Sequence, residues 1–197
     1  MWDALKKTDE HPDDNTKVLA LYKNVGIDKT YQDNGGSEGD RWNREHVWAK
    51  SHGGFSNNSY PGTDIHHVRA ADKTVNSSRG NKDFDNGGES HHEATGCKTD
   101  TDSWEPRDGI KGDIARMMFY MAVRYEKDDS YDLQLVNNVT DSNSKGEHGV
   151  LGTLLKWHIQ DPVDQFEKNR NNKIQDIQGN RNPFIDHPEF AQKIWGE

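Results

Sequence analysis

The chain is poor in cysteine, in apolar residues and in positive charge, and each shortage excludes something. A single cysteine, Cys97, stands among 197 residues, so no intrachain disulfide forms and the fold must hold without covalent staples. Apolar residues make up only 30% of the chain and charged residues another 30%, which points to a modest core wrapped in long polar loops. No apolar run approaches the roughly 20 residues of a membrane-spanning helix, so no membrane partner is expected. The opening Met1-Trp2-Asp3-Ala4-Leu5 has neither the basic start nor the apolar stretch of a signal peptide. Against 34 acidic residues there are 25 Lys and Arg, a formal net charge of −9. Taken alone, that balance argues against nucleic acid as a partner, because phosphate binding favours basic surfaces. A small basic cleft on an acidic body still holds a polyanion, however, and acidic residues recruit divalent metal.

What is present belongs to an ordered protein. Six Trp, six Tyr and six Phe are spread along the chain, and amphipathic segments recur, which excludes a disordered polyelectrolyte. The length suits one domain over residues 1–197, acting as a monomer, with a core large enough to stand alone. Trp2–Lys7 reads as a short helix and Thr16–Tyr22 as a strand. Residues 33–40 form a Gly-rich loop, followed by a strand-like start in RWNREHVWAKSHGG. Asp64–Arg69 reads as a strand and Ala70–Arg79 as a short helix, so the middle runs strand, loop, strand, helix. Residues 83–109 and 128–148 read as polar surface loop. Apolar residues at helical spacing mark Ile110–Tyr125, with Met117, Met118 and Met121 as core, and a second helix covers Val150–His158. Asp161-Pro162 is a helix start signal, with Gly179 as the stop. Asp186-His187-Pro188 opens a last helix.

Chemistry concentrates around Glu45-His46. An isolated Glu-His pair means little, but Arg44 precedes it, Trp42 and Trp48 flank it, and Asp64, His66, His67, Asn76, Arg79 and Asn81 follow. Together they offer a base, oxygen ligands for a hard cation and positive charge for phosphate. Phosphodiester hydrolysis needs those three things: a base that takes a proton from water, a divalent ion that stabilises phosphoryl charge, and Arg or Lys on the phosphate oxygens.

The segments REHVWAKSHGG, GTDIHHVRAADKTVNSSRGNKDF and GNRNPFIDHPEF resemble the bacterial endonuclease I family, of the His-Me finger (ββα-metal) nucleases. WDALKKTDE, KGDIARMMFYMAVRYE and LLKWHIQDPVDQFEKNRN extend the resemblance over nearly the whole chain. It implies an α+β fold, a ββα-metal core set in a mostly helical, loop-rich domain. It also implies a nuclease cutting DNA, and RNA as well, with little sequence preference. His46 would be the general base, and Glu45 and Asn76 the ligands of one divalent metal. Some members place a phosphate-contacting arginine in a disulfide-pinned loop that this chain lacks, which leaves Arg79, Arg181 and Arg69 as candidates. Oxygen ligands suit Mg²⁺ first, with Mn²⁺ or Ca²⁺ as alternatives. The resemblance further implies a secreted or periplasmic protein.

Blander readings compete. His91, His92 and Cys97, with His66 and His67, would suit a non-enzymatic zinc-stabilised nucleic-acid-binding module, although their spacing lacks the paired pattern of a zinc site. Asp100, Asp102, Asp108 and Asp113 would suit an additional structural Ca²⁺, without a recognisable loop motif. If His66 and His67 lie in a strand, they face opposite ways, one into the core and one toward the site.

Overall fold

In a computed structural model, residues 1–35, 40–127, 130–140 and 145–196 are described. Helix α1 (Trp2–Thr8) leads into an antiparallel sheet of β1 (Glu10–His11), β2 (Asp14–Ala20) and β3 (Val25–Asp28). Strand β4 (Trp42–His46), the single-turn helices α2 (Lys50–Gly53) and α3 (Tyr60–Thr63), strand β5 (Val68–Asp72) and helix α4 (Lys73–Arg79) follow. β4 and β5 pair antiparallel, from Trp42 opposite Asp72 to His46 opposite Val68. With α4 they form the ββα unit of a mixed α+β fold.

The second strand begins later than the sequence suggests and takes residues from the expected helix. The Asp64 carboxylate accepts the His66 amide at 3.0 Å, a local turn that keeps Asp64–His67 out of the ladder. Ala70 and Ala71, wholly buried, belong to β5. Helix α4 waits for Asp72, whose side chain accepts from the Thr74 and Val75 amides at 3.0 and 3.2 Å and so caps the first turn.

Residues 83–109 are not the surface loop their polarity suggests. They hold β6 (Asp83–Phe84), β7 (Glu89–Ser90), β8 (Lys98–Thr99) and β9 (Ser103–Glu105), ordered β6-β9-β8-β7 in one sheet. Phe84, Ala94, Cys97 and Trp104 from this stretch are fully buried. Strands of two or three residues are too short for alternation to show, and their bonds are filled in by side chains such as Asp100, which accepts from the Ser103 amide and hydroxyl.

Helix α5 (Lys111–Arg124) runs through the main core and carries Met117, Met118 and Met121 inward. Within 128–148, β10 (Gln134–Val136) and β11 (Glu147–Gly149) pair in parallel, while 128–129 and 141–144 lie outside the described residues, as do residues 36–39 of the Gly-rich loop. Helices α6 (Leu151–Gln160), α7 (Gln165–Gln178), α8 (Pro183–Asp186) and α9 (Glu189–Trp195) complete the chain. Helix α7 starts three residues beyond the expected Asp161-Pro162 signal. Asp164 caps it, with Glu167 closing a capping box, while Asp161 instead accepts the Gly112 amide at 2.8 Å. Gly179 ends it in the left-handed conformation, φ 86°. Asp186 likewise closes α8, and α9 begins only after Pro188.

Two apolar clusters sit on the ββα unit. One gathers α5, α6 and the small sheet around Trp48, Trp104 and Trp157; the other joins α1, β2 and β5 around Leu5, Val18 and Trp42. Both ends of β4 are therefore pinned by wholly buried tryptophans, Trp42 at its start and Trp48 just beyond it. Burial of such side chains, worth roughly 1.5–3 kcal/mol each or more, fixes the strand that carries Glu45 and His46.

Candidate active site

A polar cavity of about 490 Å³ opens beside the C-terminal end of β4, lined by Asn43, Arg44, Glu45, His46, Lys50 and Asn76 among others. Glu45 is 2% exposed. Its Oε1 accepts the Tyr22 hydroxyl at 2.6 Å and meets the Arg79 guanidinium at 3.2 Å, whereas Oε2 accepts nothing from the described residues. Burial pushes the Glu45 carboxyl above the usual carboxylate range, against the pull of Arg79 and the Tyr22 hydrogen bond. Helix α4, cast off from β5 by the Asp72 cap, returns Asn76 to the edge of β4. The Asn76 amide donates to Asn43 Oδ1 at 2.7 Å and to the Arg44 carbonyl at 3.2 Å. Those bonds use its Nδ2 hydrogens and leave Oδ1 without a donor among the described residues.

His46 is held as a neutral imidazole. Its Nε2 donates to the Gly62 carbonyl at 3.0 Å, so Nδ1 carries the lone pair. Burial, reinforced by the neighbouring His67, pulls its pKa down to about 3. Gly62 is needed where it is, because a Cβ there would lie 1.8 Å from the Ser56 carbonyl oxygen. His67 packs its ring 5.6 Å from that of His46; it donates Nε2 to the Pro61 carbonyl and accepts the Trp48 amide at Nδ1.

Two donor-poor oxygens beside a neutral imidazole fit a hard, oxygen-seeking divalent ion better than zinc. Glu45 Oε2 and Asn76 Oδ1, which accept from no described residue, are the acceptors such an ion would meet. Arg44, whose guanidinium stacks 4.9 Å over the Trp2 ring, and Lys50, hydrogen-bonded to Asn57 at 2.8 Å, bring positive charge to the same cavity.

The sequence model of the Endonuclease I family matches residues 1–189. The chain belongs to that family. It is 58% identical over 197 residues to the extracellular ribonuclease of Bacillus subtilis (strain 168), and 59% identical to the extracellular ribonuclease of Bacillus amyloliquefaciens. Each alignment covers 99% of this chain and 67% of the relative. This member of the Endonuclease I family is thus a nuclease.

The three arginines singled out in its sequence do not line the cavity. Arg69 is 2% exposed and donates Nε to Asp9 at 3.0 Å, with a second acidic neighbour in Asp113. Arg181 pairs with Asp186 through two bonds of 2.7 Å, near Asn172. Arg79 is wholly buried behind Glu45. Arg69 and Arg79 are enclosed by protein acceptors, whereas the Arg181 side chain is 35% exposed and held by Asp186. His66 and His67 do not lie in a strand; both are buried, and neither lines the cavity. His66 packs on Tyr120 at 4.3 Å.

The zinc reading loses its ligands. His91 Nδ1 accepts the Glu93 and Ala94 amides, its Nε2 meets the Ser78 hydroxyl, His92 is exposed, and Cys97 points Sγ at the Tyr22 carbonyl. Asp100, Asp102, Asp108 and Asp113 do not converge on a shared ion among the described residues. Asp108 pairs with Lys111, and Asp113 is buried near Arg69 and Arg116. The group of three metal-type side chains that does converge is His52, Asp83 and His148, with atoms within 4.8 Å of one another.

Sequence reasoning missed Lys50, Asn43 and Tyr22. Lys50 and Asn43 lie within four residues of His46, in the same aromatic-flanked segment, so proximity was an available signal. Tyr22 closes an apolar strand pattern and gives no sign that its hydroxyl meets Glu45.

Proposed function

We propose that this nuclease is a metal-dependent endonuclease that hydrolyses RNA and DNA with little sequence preference. The observation that carries it is the pair of undonated oxygens, Glu45 Oε2 and Asn76 Oδ1, beside a neutral His46 whose Nε2 is fixed on Gly62. Glu45 and Asn76 would hold one divalent ion, Mg²⁺ first, which when bound supplies charge stabilisation to the phosphoryl and leaving oxygens. His46 Nδ1 takes a proton from the attacking water; the Gly62 bond sets the ring so that this lone pair is the free one. Arg44 and Lys50, the cations that line the cavity, bind the phosphate oxygens, in place of the enclosed Arg79 and Arg69 and of Arg181, which does not line the cavity. Contacts of that kind read backbone, not base edges, which supports low sequence preference. The names of the two Bacillus relatives favour RNA as a physiological substrate and secretion as the destination.

The test is cleavage of a labelled RNA and of supercoiled plasmid DNA with Mg²⁺, Mn²⁺ or Ca²⁺, each with and without EDTA. Both substrates should be cut, and chelation should abolish both reactions. Equal cleavage in EDTA overturns the metal assignment; inert plasmid beside cleaved RNA restricts the substrate to RNA.

A further inference from the structure

His52, Asp83 and His148 have the composition of a metal site, but each of them already has protein hydrogen-bond partners. Asp83 Oδ1 accepts from His148 Nδ1 at 2.7 Å and the Gly149 amide at 2.6 Å; Oδ2 accepts the Thr140 amide at 2.5 Å. The His52 nitrogens sit on backbone carbonyls, Nδ1 on Glu147 at 2.8 Å and Nε2 on Asn81 at 2.7 Å. His148 stacks on His52 at 4.3 Å. Because its Nδ1 proton goes to Asp83, His148 presents a lone pair at Nε2, and that lone pair faces Arg79 Nη2 at 3.4 Å.

Arg79 is 0% exposed and lies 4.6 Å over the Phe84 ring. Its Nη1 donates to the His46 carbonyl at 3.1 Å and reaches Glu45 Oε1 at 3.2 Å; its Nη2 donates to the Val47 carbonyl at 2.8 Å. It stands three residues after Asn76 on α4, so one helical turn delivers both the amide oxygen and the guanidinium.

We propose that Arg79 is a positioning residue of this active site, and that the His148–Asp83 pair is the support that orients its guanidinium. This rests on the reading of Glu45 as metal ligand and His46 as base. One planar fork fixes Glu45 Oε1, and so the direction of Oε2. The same fork ties down the backbone of His46 and Val47, and so the ring that carries Nδ1. Lysine, a single point charge on a flexible stem, does not reproduce three acceptors in fixed geometry. Asp83 fixes the His148 tautomer, and His148 Nε2 then accepts from the fork, an outer-sphere arrangement of the kind that orients metal ligands.

The experiment compares Arg79→Lys, His148→Phe, Asp83→Asn and Glu45→Ala with the wild-type protein. Three quantities are read: the Mn²⁺ dissociation constant and stoichiometry from the EPR signal of free Mn²⁺, kcat and KM on RNA at saturating Mn²⁺, and the unfolding midpoint. Arg79→Lys should weaken Mn²⁺ binding on the order of 10–100-fold and lower kcat at saturating metal, with KM for RNA unchanged. His148→Phe and Asp83→Asn, which keep the Arg79 charge, should shift both quantities the same way and less. A folded Arg79→Lys with wild-type metal affinity and kcat overturns the proposal, as does one whose loss lies wholly in KM, the sign of a phosphate contact. If Arg79→Lys does not fold, wild-type behaviour of folded His148→Phe and Asp83→Asn overturns it in the same way. A second Mn²⁺ per chain that disappears in His148→Phe also overturns it, in favour of a metal site at the cluster. Wild-type affinity in Glu45→Ala overturns the active-site reading itself. Lost affinity there, beside wild-type values in the other three, removes only the positioning role.

Discussion

Two of the buried carboxylates at the β4–β5 pair, Asp9 and Glu45, are treated in opposite ways. Asp9, at the end of α1, is enclosed by donors: Arg69 Nε and the Ala70 amide on Oδ2, Arg170 Nε and the Thr8 hydroxyl on Oδ1. Burial pushes its pKa up, but Arg170 and Arg69 outweigh that and hold it below the usual range. Glu45 is as deeply placed, yet both of its donors, Tyr22 and Arg79, crowd onto one oxygen, and its pKa is raised. A fully paired interior charge is a joint of the fold. A half-paired one, next to an undonated amide oxygen and an imidazole kept neutral, is where the proposed metal would find its acceptors.

The sharpest way to break this contrast is at the base. His46→Ala is expected to lower kcat by about 10²–10⁴-fold, with Mn²⁺ affinity and unfolding midpoint close to wild type. Near-normal turnover of the purified variant would remove His46 from the mechanism. Asp9→Ala should do the reverse. It strands Arg69 and Arg170 without their shared anion, a loss of roughly 3–5 kcal/mol for a broken buried pair, read in urea denaturation. Turnover per folded molecule should hold, because Asp9 does not line the cavity. A variant as stable as the parent would show that the enclosed cluster is not the joint described.

Acid separates the regions by pH. Burial holds His46 at about 3 and His66, His67 and His148 each at about 4, against about 6.5 in an unfolded chain. Below pH 6.5 the unfolded state binds protons that the folded state refuses, so stability falls as pH falls, at up to roughly 1.4 kcal/mol per pH unit for each histidine, down to the folded values. Asp9, with a lowered pKa, loses its contribution only beneath the ordinary carboxylate range. Urea midpoints should therefore drop steeply between pH 6 and 4. The same shift bears on catalysis: the acid limb of activity should follow unfolding and loss of metal, not titration of an imidazole at its ordinary value of about 6.5. A flat stability profile from pH 7 to 4.5 contradicts the neutral burial of these rings.

How much of this was legible in the sequence differs by residue. Glu45 and His46 stood out among flanking tryptophans, the family resemblance singled out both of them and Asn76, and the structure lines one cavity with all three. Helix α5 was plain from its period. The small sheet of 83–105 was not, since strands of two or three residues carry no alternation and close through side-chain caps. The arginines were only partly legible, for a different reason. Charge is visible in a sequence, but its partner is not: Arg69 meets Asp9 across sixty residues and Arg79 meets Glu45 and His148 from two directions. Arg44 and Lys50 are the cations left at the cavity, and only packing shows it.

The smallest effect expected is that of salt, and it follows from those two cations. Long-range repulsion between a chain of net charge −9 and a polyanion is already confined to about 10 Å at 0.1 M salt, so raising salt further relieves it and helps encounter. Counterion release works the other way. If Arg44 and Lys50 are the phosphate contacts, Z is about 2, and a slope of about −0.7Z on single-stranded RNA predicts a loss of about sevenfold in binding between 50 and 200 mM. Screened repulsion offsets part of that, so kcat/KM should change less than tenfold over this range, whereas a protein with 6–10 phosphate contacts loses about 10³–10⁵. The measurement is kcat/KM on one RNA against NaCl at fixed, saturating Mg²⁺, in the parent and in Lys50→Ala. The variant should have a shallower slope by about 0.7. A parent slope steeper than about −3, well beyond two contacts, would mean that cations outside the cavity, Arg181 among them, bind the polyanion, and that the enclosed and open groups of charge are not divided as the cavity suggests.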